Sequence, residues 1–525
     1  MASLVTSHFR IHNAIQFLES FSETNPNIYY LFAGKSYAYA NDAVPPTPVD
    51  SYDSTYYDFW RDIIGLKRIQ ISDVTHCVPR YNWTANTVYT QYTSNNASLS
   101  GSAFYVMTSQ DNVYKCIDNN SGANSTIVPT GTSTSIISTA DNYRWKFLYT
   151  VSAGEKNKFL TNQFIPVKNI SANDSSAQWI VQQAAANGSI EHIQITANGS
   201  GYLSTSNVFS SISNSTVFVL GSNAIGTDDA YVGSSIMITA GKGSGLGGSL
   251  RKIINYVGVT RALTVNTAFT ITPNTSSTYS VSPTVTISGD SGTTETKRAT
   301  AWVSNTVGGQ VRKISMIRVG VNYSSANVVI SANTSRGSGA KAIPIISPVR
   351  GHGSSPVNEL FGKYIMMNVQ LKGAESNTLP TNNDIRTIGI IRDPLLRNGS
   401  AANTSVIDQT HRITVNVVSG DFTTDEVIRG NQSGAKGRLV YFANTNSSRT
   451  KGILKLIRLV TSGIGQSFAE GETVQGVTSG YTANVISYIR PALKEYSGVI
   501  IYNENRVPIT RASDQLEDVK IVLSF

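Results

Sequence analysis

The sequence predicts a mainly β protein, an α+β core with few short helices, divided into several domains of antiparallel β-sandwich or barrel type. Three observations carry this. Only 14% of the residues are charged, while Gly (42 residues), Ser, Thr and Asn are abundant beside 25 Tyr, which is the composition of strands joined by turns. Apolar residues alternate with period two over much of the chain, as in antiparallel strands with one wet face. Two stretches recur within the chain, each reading as strand, Gly/Asn turn and strand. At 525 residues, about three or four domains are expected at ~150 residues each.

In chain order, residues 9–21 place Phe9, Ile11, Ala14, Ile15, Phe17 and Leu18 on one helical face. Tyr29–Ala33 reads as a buried strand and Pro45-Pro46-Thr-Pro48 as an extended loop. Tyr56 to Ile64 reads as a second helix with an aromatic face, whose work is core packing. From Lys67 to Val151 strands are expected at 68–71, 87–92, 104–107, 112–117 and 145–149, with turns at Asp111-Asn112, Asn119–Gly122 and Asp141-Asn142. Residues 1–175 are therefore read as one N-terminal core part.

Residues 176–346 are expected to form an inserted β domain. Ile190-x-x-Ile193-x-Ile195-x-x-x-Gly199-x-x-Tyr202 recurs 121 positions on as Val311-x-x-Ile314-x-Met316-x-x-x-Gly320-x-x-Tyr323. Residues 347–404 return to the core, with a helix candidate from Asn358 to Asn368 and a strand at 384–391 closed by Asp393-Pro394. In 405–490, Phe422-x-x-x-Glu426-x-Ile428-x-Gly430-x-x-Ser433-Gly434 recurs 46 positions on as Phe468-x-x-x-Glu472-x-Val474-x-Gly476-x-x-Ser479-Gly480. Two copies are too few for a solenoid and read as a small pseudo-symmetric β module. Residues 491–525 supply C-terminal core strands. Val499–Ile501 reads as a buried strand ending in a turn at Asn503 and Asn505, Pro508 forces an edge or connector, and Asp518–Phe525 reads as a final paired strand.

The C-terminal pattern Tyr502-x-Glu-Asn-Arg-x-Pro-Ile, then Asp514-Gln and an apolar strand to Phe525, resembles the end of the baseplate wedge subunit of T4-type contractile phages, the gene-eight product family. Val5-Thr-Ser-His-Phe-Arg10, Phe59-Trp60, Val78-Pro-Arg-x-x-Trp83, Tyr114-x-Cys116-x-Asp118 and Tyr143-x-Trp145-x-x-Leu-Tyr149 are similar to that family in the same order. The likeness spans residues 1–170, 355–400 and 495–525 and leaves two β insertions unmatched. It implies a non-enzymatic virion protein of the tail baseplate, assembled in the host cytoplasm, whose partners are itself, as a homodimer, and other wedge proteins around the tail hub. Arg506 and Asp514 are carried over as interface residues, with an internal ion pair or turn groups as the plainer reading. The rival from another class is a tail-associated glycan-binding or depolymerising protein, since Tyr-, Asn- and Gly-rich β modules also bind sugars. A bacterial contractile-injection component differs in setting only.

Other chemistries find little support. The net charge of +9 is scattered, with no polybasic run and no basic residues interleaved with stacking aromatics, so no nucleic-acid partner is expected. No apolar run reaches a membrane span, and no signal peptide is read at the start. Cys77 and Cys116 read as buried thiols. Gly34-Lys35-Ser36 imitates the end of a P-loop but has Tyr29 where the motif needs Gly, and Gly243-Ser-Gly-Leu-Gly-Gly248 imitates a dinucleotide fingerprint without the acidic residue about 20 positions on. Of His8, His12, His76, His192, His352 and His411, only His76 has a Cys beside it, and as neighbours His76-Cys77 cannot form a site alone; His8 and His12 share a helical face but have no acidic or Cys partner nearby and read as an exposed helix start. No catalytic residue, metal, cofactor or small-molecule substrate is expected.

Overall fold

The computed structural model describes residues 4–245, 249–290, 298–332, 336–417, 420–460 and 467–525. It is mainly β, with antiparallel sheets, one closed barrel and few helices. Contacts divide it into two compact units, Met1–Cys77 with Asn157–Leu160 and Lys363–Phe525, and Val78–Lys156 with Thr161–Gly362.

In the first unit, Tyr29–Gly34 lies inside a five-stranded sheet between Ile63–Ile69 and Asp384–Arg392, with Val406–Asp408 and Val499–Thr510 at the edges. Every residue of Tyr29–Gly34 is buried because successive side chains enter different cores. Tyr29, Leu31 and Ala33 pack with Ala14 of the helix Ser7–Glu19 and with Ile365, Met367 and Ile521 of a second sheet. Tyr30 and Phe32 pack on the other side with Trp60, Leu66, Ile391 and Leu493. In the second sheet Tyr364–Lys372 pairs antiparallel with Val74–Cys77 and, over its whole length, with Leu516–Ser524.

The barrel closes from His411–Val417, Lys451–Val460, Lys436–Asn444, Val427–Gly430, Thr473–Gly476 and Thr482–Ile489. Its 46-residue echo is a reciprocal latch. Glu426 accepts from the amides of Thr423 (2.7 Å), Thr478 (3.2 Å) and Ser479 (3.0 Å) and from the Ser479 hydroxyl. Glu472 accepts from the amides of Ala469 (2.6 Å), Gln432 (3.1 Å) and Ser433 (3.0 Å) and from the Ser433 hydroxyl. Each copy's carboxylate thus ties down the other copy's Ser-Gly turn. Gly430 is required because a Cβ there would stand 2.6 Å from the Glu472 carboxylate, and Gly476 meets Glu426 in the same way.

The second unit holds a four-stranded sheet of Tyr105–Met107, Asn112–Asp118, Arg144–Thr150 and Ile137–Ser138, packed around Tyr89, Tyr114, Tyr143, Trp145 and Phe147. The 121-residue echo is also reciprocal. Ile190–Ser200 and Gln310–Arg318 are the two first strands; the Tyr202 amide donates to Gly309 O (3.0 Å), and the Tyr323 amide to Gly188 O (3.0 Å). The Tyr202 hydroxyl accepts from the Ala340 amide (3.2 Å) and that of Tyr323 from the Ala299 amide (2.9 Å). Gly199 and Gly320 make room for these rings, since a Cβ would lie 2.7 and 2.8 Å from them. Between Tyr202 and Thr284 the chain makes a seven-stranded sheet with a core of its own, built on Phe209, Phe218, Tyr231, Ile236, Tyr256 and Tyr279.

Four expected elements differ. The aromatic helix at 56–64 is a π-helical turn, Asp53–Asp58, and one α-turn, Phe59–Asp62, and Ile63 already begins a strand. Sheet pairing with Tyr29–Gly34 takes Ile63 and Ile64 from the helix. The helix candidate at 358–368 shrinks to Pro356–Glu359, because Tyr364 onward joins the second sheet. Residues 87–92 make one bridge, Thr87 to Ser125, in place of a strand, and bury Tyr89 and Tyr92 from a loop. No turn forms at Asn503 and Asn505. Val499–Thr510 is a single edge strand, partly exposed, and its Pro508 is tolerated there as an edge position allows.

Candidate interaction site

Arg506 and Asp514 lie on the C-terminal segment that the two sheets order. Arg506 is on the edge strand Val499–Thr510, partly exposed, with Nε 3.4 Å from the Glu504 carboxylate. Asp514 is exposed in the turn between Val499–Thr510 and Leu516–Ser524. The next arginine, Arg511, is 1% exposed and forms the inner tie of this turn, donating from Nε to Glu517 (2.8 Å) and from Nη2 to Gly373 O (2.5 Å).

A buried charge cluster lies in the second unit and is absent from the expected site. Lys115, in the middle of Asn112–Asp118, is fully buried and its ammonium contacts the Glu359 carboxylate on Pro356–Glu359. Glu359 also accepts from the amides of Gly353 (2.7 Å) and Ser355 (3.3 Å). Burial pushes Lys115 below its ordinary range; at Glu359 burial acts upward but is outweighed by Lys115 and His352, so the carboxyl lies low. The two directions oppose each other as to whether the pair is charged. The donors converging on Glu359 favour the ionised pair. Tyr92 completes the enclosure, its ring 4.7 Å from Lys115 Nζ and edge-on to His352 at 4.9 Å.

Beside it Arg144 donates from Nη1 to His192 Nδ1 (2.9 Å) and from Nη2 to Glu191 O (3.3 Å), while His192 Nε2 is 3.4 Å from Asp118. A guanidinium has only donors, so Nδ1 is the acceptor and the imidazole proton sits on Nε2 toward Asp118. Burial, aided by Arg144 and opposed by Asp118, lowers the His192 pKa to about 4. Lys146 donates to Thr134 O (2.6 Å) with Glu191 3.9 Å away. Lys115, Glu359 and His352 have almost no surface through which a substrate could arrive, so this cluster is an internal tie between the strand Asn112–Asp118 and the helical turn Pro356–Glu359. Its one sequence signal was a lysine between Val113-Tyr114 and Cys116-Ile117.

The motif look-alikes do not build sites. Lys35 Nζ lies over the Tyr37 ring at 3.3 Å, and no helix follows Gly34-Lys35-Ser36 to cradle a phosphate. Of the glycine-rich stretch 243–248, residues 246–248 lie outside the described residues; the strands before and after it, Ser235–Ala240 and Leu250–Val257, pair antiparallel. His8 and His12 are exposed on the first helix, and both cysteines are buried and free. Among the described residues no group of three metal-ligating side chains converges, and no helix is long and apolar enough to cross a membrane.

These features define a class: a multidomain β protein with long edge strands and with its buried charges used as internal ties. Residues 3–121 match the family described as Bacteriophage T4, Gp8, the T4 baseplate wedge gene 8 product, a structural protein of the phage baseplate. This supports the family indicated by the sequence motifs and with it a structural role in the baseplate wedge. No curated protein matches the chain.

Proposed function

We propose that this chain is a non-enzymatic subunit of the baseplate wedge of a contractile phage tail, acting as a homodimer in contact with other wedge proteins. The family match at residues 3–121 carries the reading. The C-terminal motif supports it from the other end of the chain. On this reading Arg506 and Asp514 belong to a subunit interface, the stretches 176–346 and 405–490 are elaborations of a wedge core, and assembly takes place in the host cytoplasm. Edge strands such as Val499–Thr510 offer unpaired backbone groups to a neighbour, which suits a protein that works by being built in. The test is placement in the particle: antibody labelling of purified tails should mark the baseplate end, and tails assembled without this chain should lack complete wedges. Labelling along the tube or on the capsid, or normal baseplates without the chain, overturns the proposal. Sedimentation as a monomer across micromolar concentrations removes the homodimer.

A further inference from the structure

An unassigned cleft of ≈ 730 Å³ opens in the first unit where the barrel meets the C-terminal connection. It is lined by Arg397, His411, Tyr488, Arg490, Lys494 and Tyr496, among others. The sequence brings these together from separate places: Arg397 from the loop after Asp384–Arg392, His411 and Tyr488 from two adjacent barrel strands, and Arg490 to Tyr496 from the segment leaving the barrel. Its floor is fixed. His411 Nδ1 and the Tyr488 hydroxyl share a hydrogen bond of 2.7 Å, and their rings are nearly parallel. Burial together with the fields of Arg397 and Arg490 holds His411 neutral, down to about 4.

The rim is cationic. Among the described residues no carboxylate pairs with Arg397, Arg490 or Lys494, whereas Arg386, Arg458, Lys455 and Arg511 of the same unit are all tied to acids. Among the described lining residues Glu495 is the only acid.

Further aromatic rings meet this rim at Tyr496 and stand on the segment from Tyr52 to Trp60. Tyr496 is met edge-on by Tyr57 at 5.2 Å and Trp60 at 6.4 Å, and Tyr52 stacks on Tyr56 at 5.6 Å. Tyr52 is 80% exposed and Tyr57 46%, so large rings stand in water just before and on the π-helical turn Asp53–Asp58. π-helical turns are uncommon and recur at functional sites. Exposed Tyr beside unpaired Arg is the composition of protein interface hot spots, where rings supply area and guanidinium groups read carboxylates.

We propose that the cleft and its tyrosine strip are a docking surface for an acidic, amphipathic segment of another protein, with carboxylates on Arg397, Arg490 and Lys494 and apolar side chains over Tyr496, Tyr57 and Tyr52. Charge complementarity selects the acid. The exposed rings offer apolar area for the side chains of an amphipathic peptide; a saccharide stacking on the same rings is the competing outcome that the test separates. The proposal rests on the baseplate reading only for where its partner is found.

The test uses the full chain and a fluorescein-labelled peptide of alternating Glu and Leu, read by anisotropy. Saturable binding that weakens with salt is expected, with no binding of the Lys-Leu counterpart. Arg397→Glu with Arg490→Glu should weaken it at least about tenfold, as loss of close charge pairs does, and Tyr57→Ser should weaken it several-fold. Thermal unfolding checks that these exposed substitutions leave the fold intact, and Arg490→Gln with Lys494→Gln replaces the reversal pair if that one misfolds. Equal binding of both peptides, no binding, or unchanged binding by the folded variants overturns the proposal. Tighter binding of polygalacturonate at the same residues overturns it in favour of a saccharide. None of these results touches the tail-labelling experiment, so failure of the docking surface and failure of the baseplate role remain distinguishable.

Discussion

Replacing Glu472 by alanine should loosen the turn of the opposite repeat. Glu472 is wholly buried and is the acceptor for the amides of Gln432, Ser433 and Ala469. Removing it takes a charged acceptor from three part-buried N–H groups, each such bond being worth ~1.5–3 kcal/mol. Because the turn can relax, the costs do not simply add, and about 4 kcal/mol is a fair total. A chain of several domains does not unfold in one step, so a global melting point would blur the effect. Amide hydrogen exchange with residue-level resolution reads local opening directly. At 1.4 kcal/mol per decade, the protection of residues 431–433 should fall about a thousandfold, with a matching loss at Ala469. Glu472→Gln keeps one acceptor oxygen and should cost about half as much. By the same logic Glu426→Ala should open Thr478 and Ser479. A change below about tenfold at residues 431–433, or a loss confined to the mutated repeat, would refute the reciprocal latch.

Lys115→Met leaves Glu359 buried without its cation and should destabilise the second unit by ~3–5 kcal/mol, whereas Lys115→Met with Glu359→Gln should recover part of this; denaturant unfolding followed by tryptophan fluorescence checks both. His192 has a folded pKa of about 4, below its ordinary 6.5, so the native state prefers it neutral. Its contribution is complete above pH 6.5 and is lost as the pH falls toward 4, at most about 3 kcal/mol, so the loss of second-unit stability across that window, read by the same tryptophan-fluorescence unfolding, should be blunted in a His192→Gln variant that still folds. Deleting Val519–Phe525 removes the buried Ile521 and the partly buried Val519, Leu523 and Phe525. With ~1.5–3 kcal/mol for the first and about half as much for each of the others, the loss is about 5 kcal/mol, and unchanged thermal stability would contradict the pairing of that strand with Tyr364–Lys372.

The sequence alone determined what local pattern and short-range chemistry control. Period-two alternation and turn residues specify strands wherever one face is apolar, and the helix Ser7–Glu19 follows from its apolar stripe. The two echoes were legible because each is a closed logical unit: a Gly that admits a neighbour and the Tyr or Glu that occupies the space. The wedge-family motifs were legible for the same local reason. Tertiary structure decided what depends on partners distant in the chain. Ile63 and Tyr364 lie in apolar runs compatible with either helix or strand, and only pairing with Tyr29–Gly34 and Leu516–Ser524 settles them. Asn503 and Asn505 look like turn residues, yet the long edge pairing with Asp384–Arg392 carries the strand straight through them. The charge sites were hidden most completely. Lys115 meets Glu359 across 244 positions and Asp62 meets Arg458 across 396, and no local signal tells a buried lysine's partner from any other glutamate. The cleft follows the same rule: Arg397, His411 and Arg490 are ordinary residues in sequence, and only closure of the barrel beside the C-terminal strand makes them one surface.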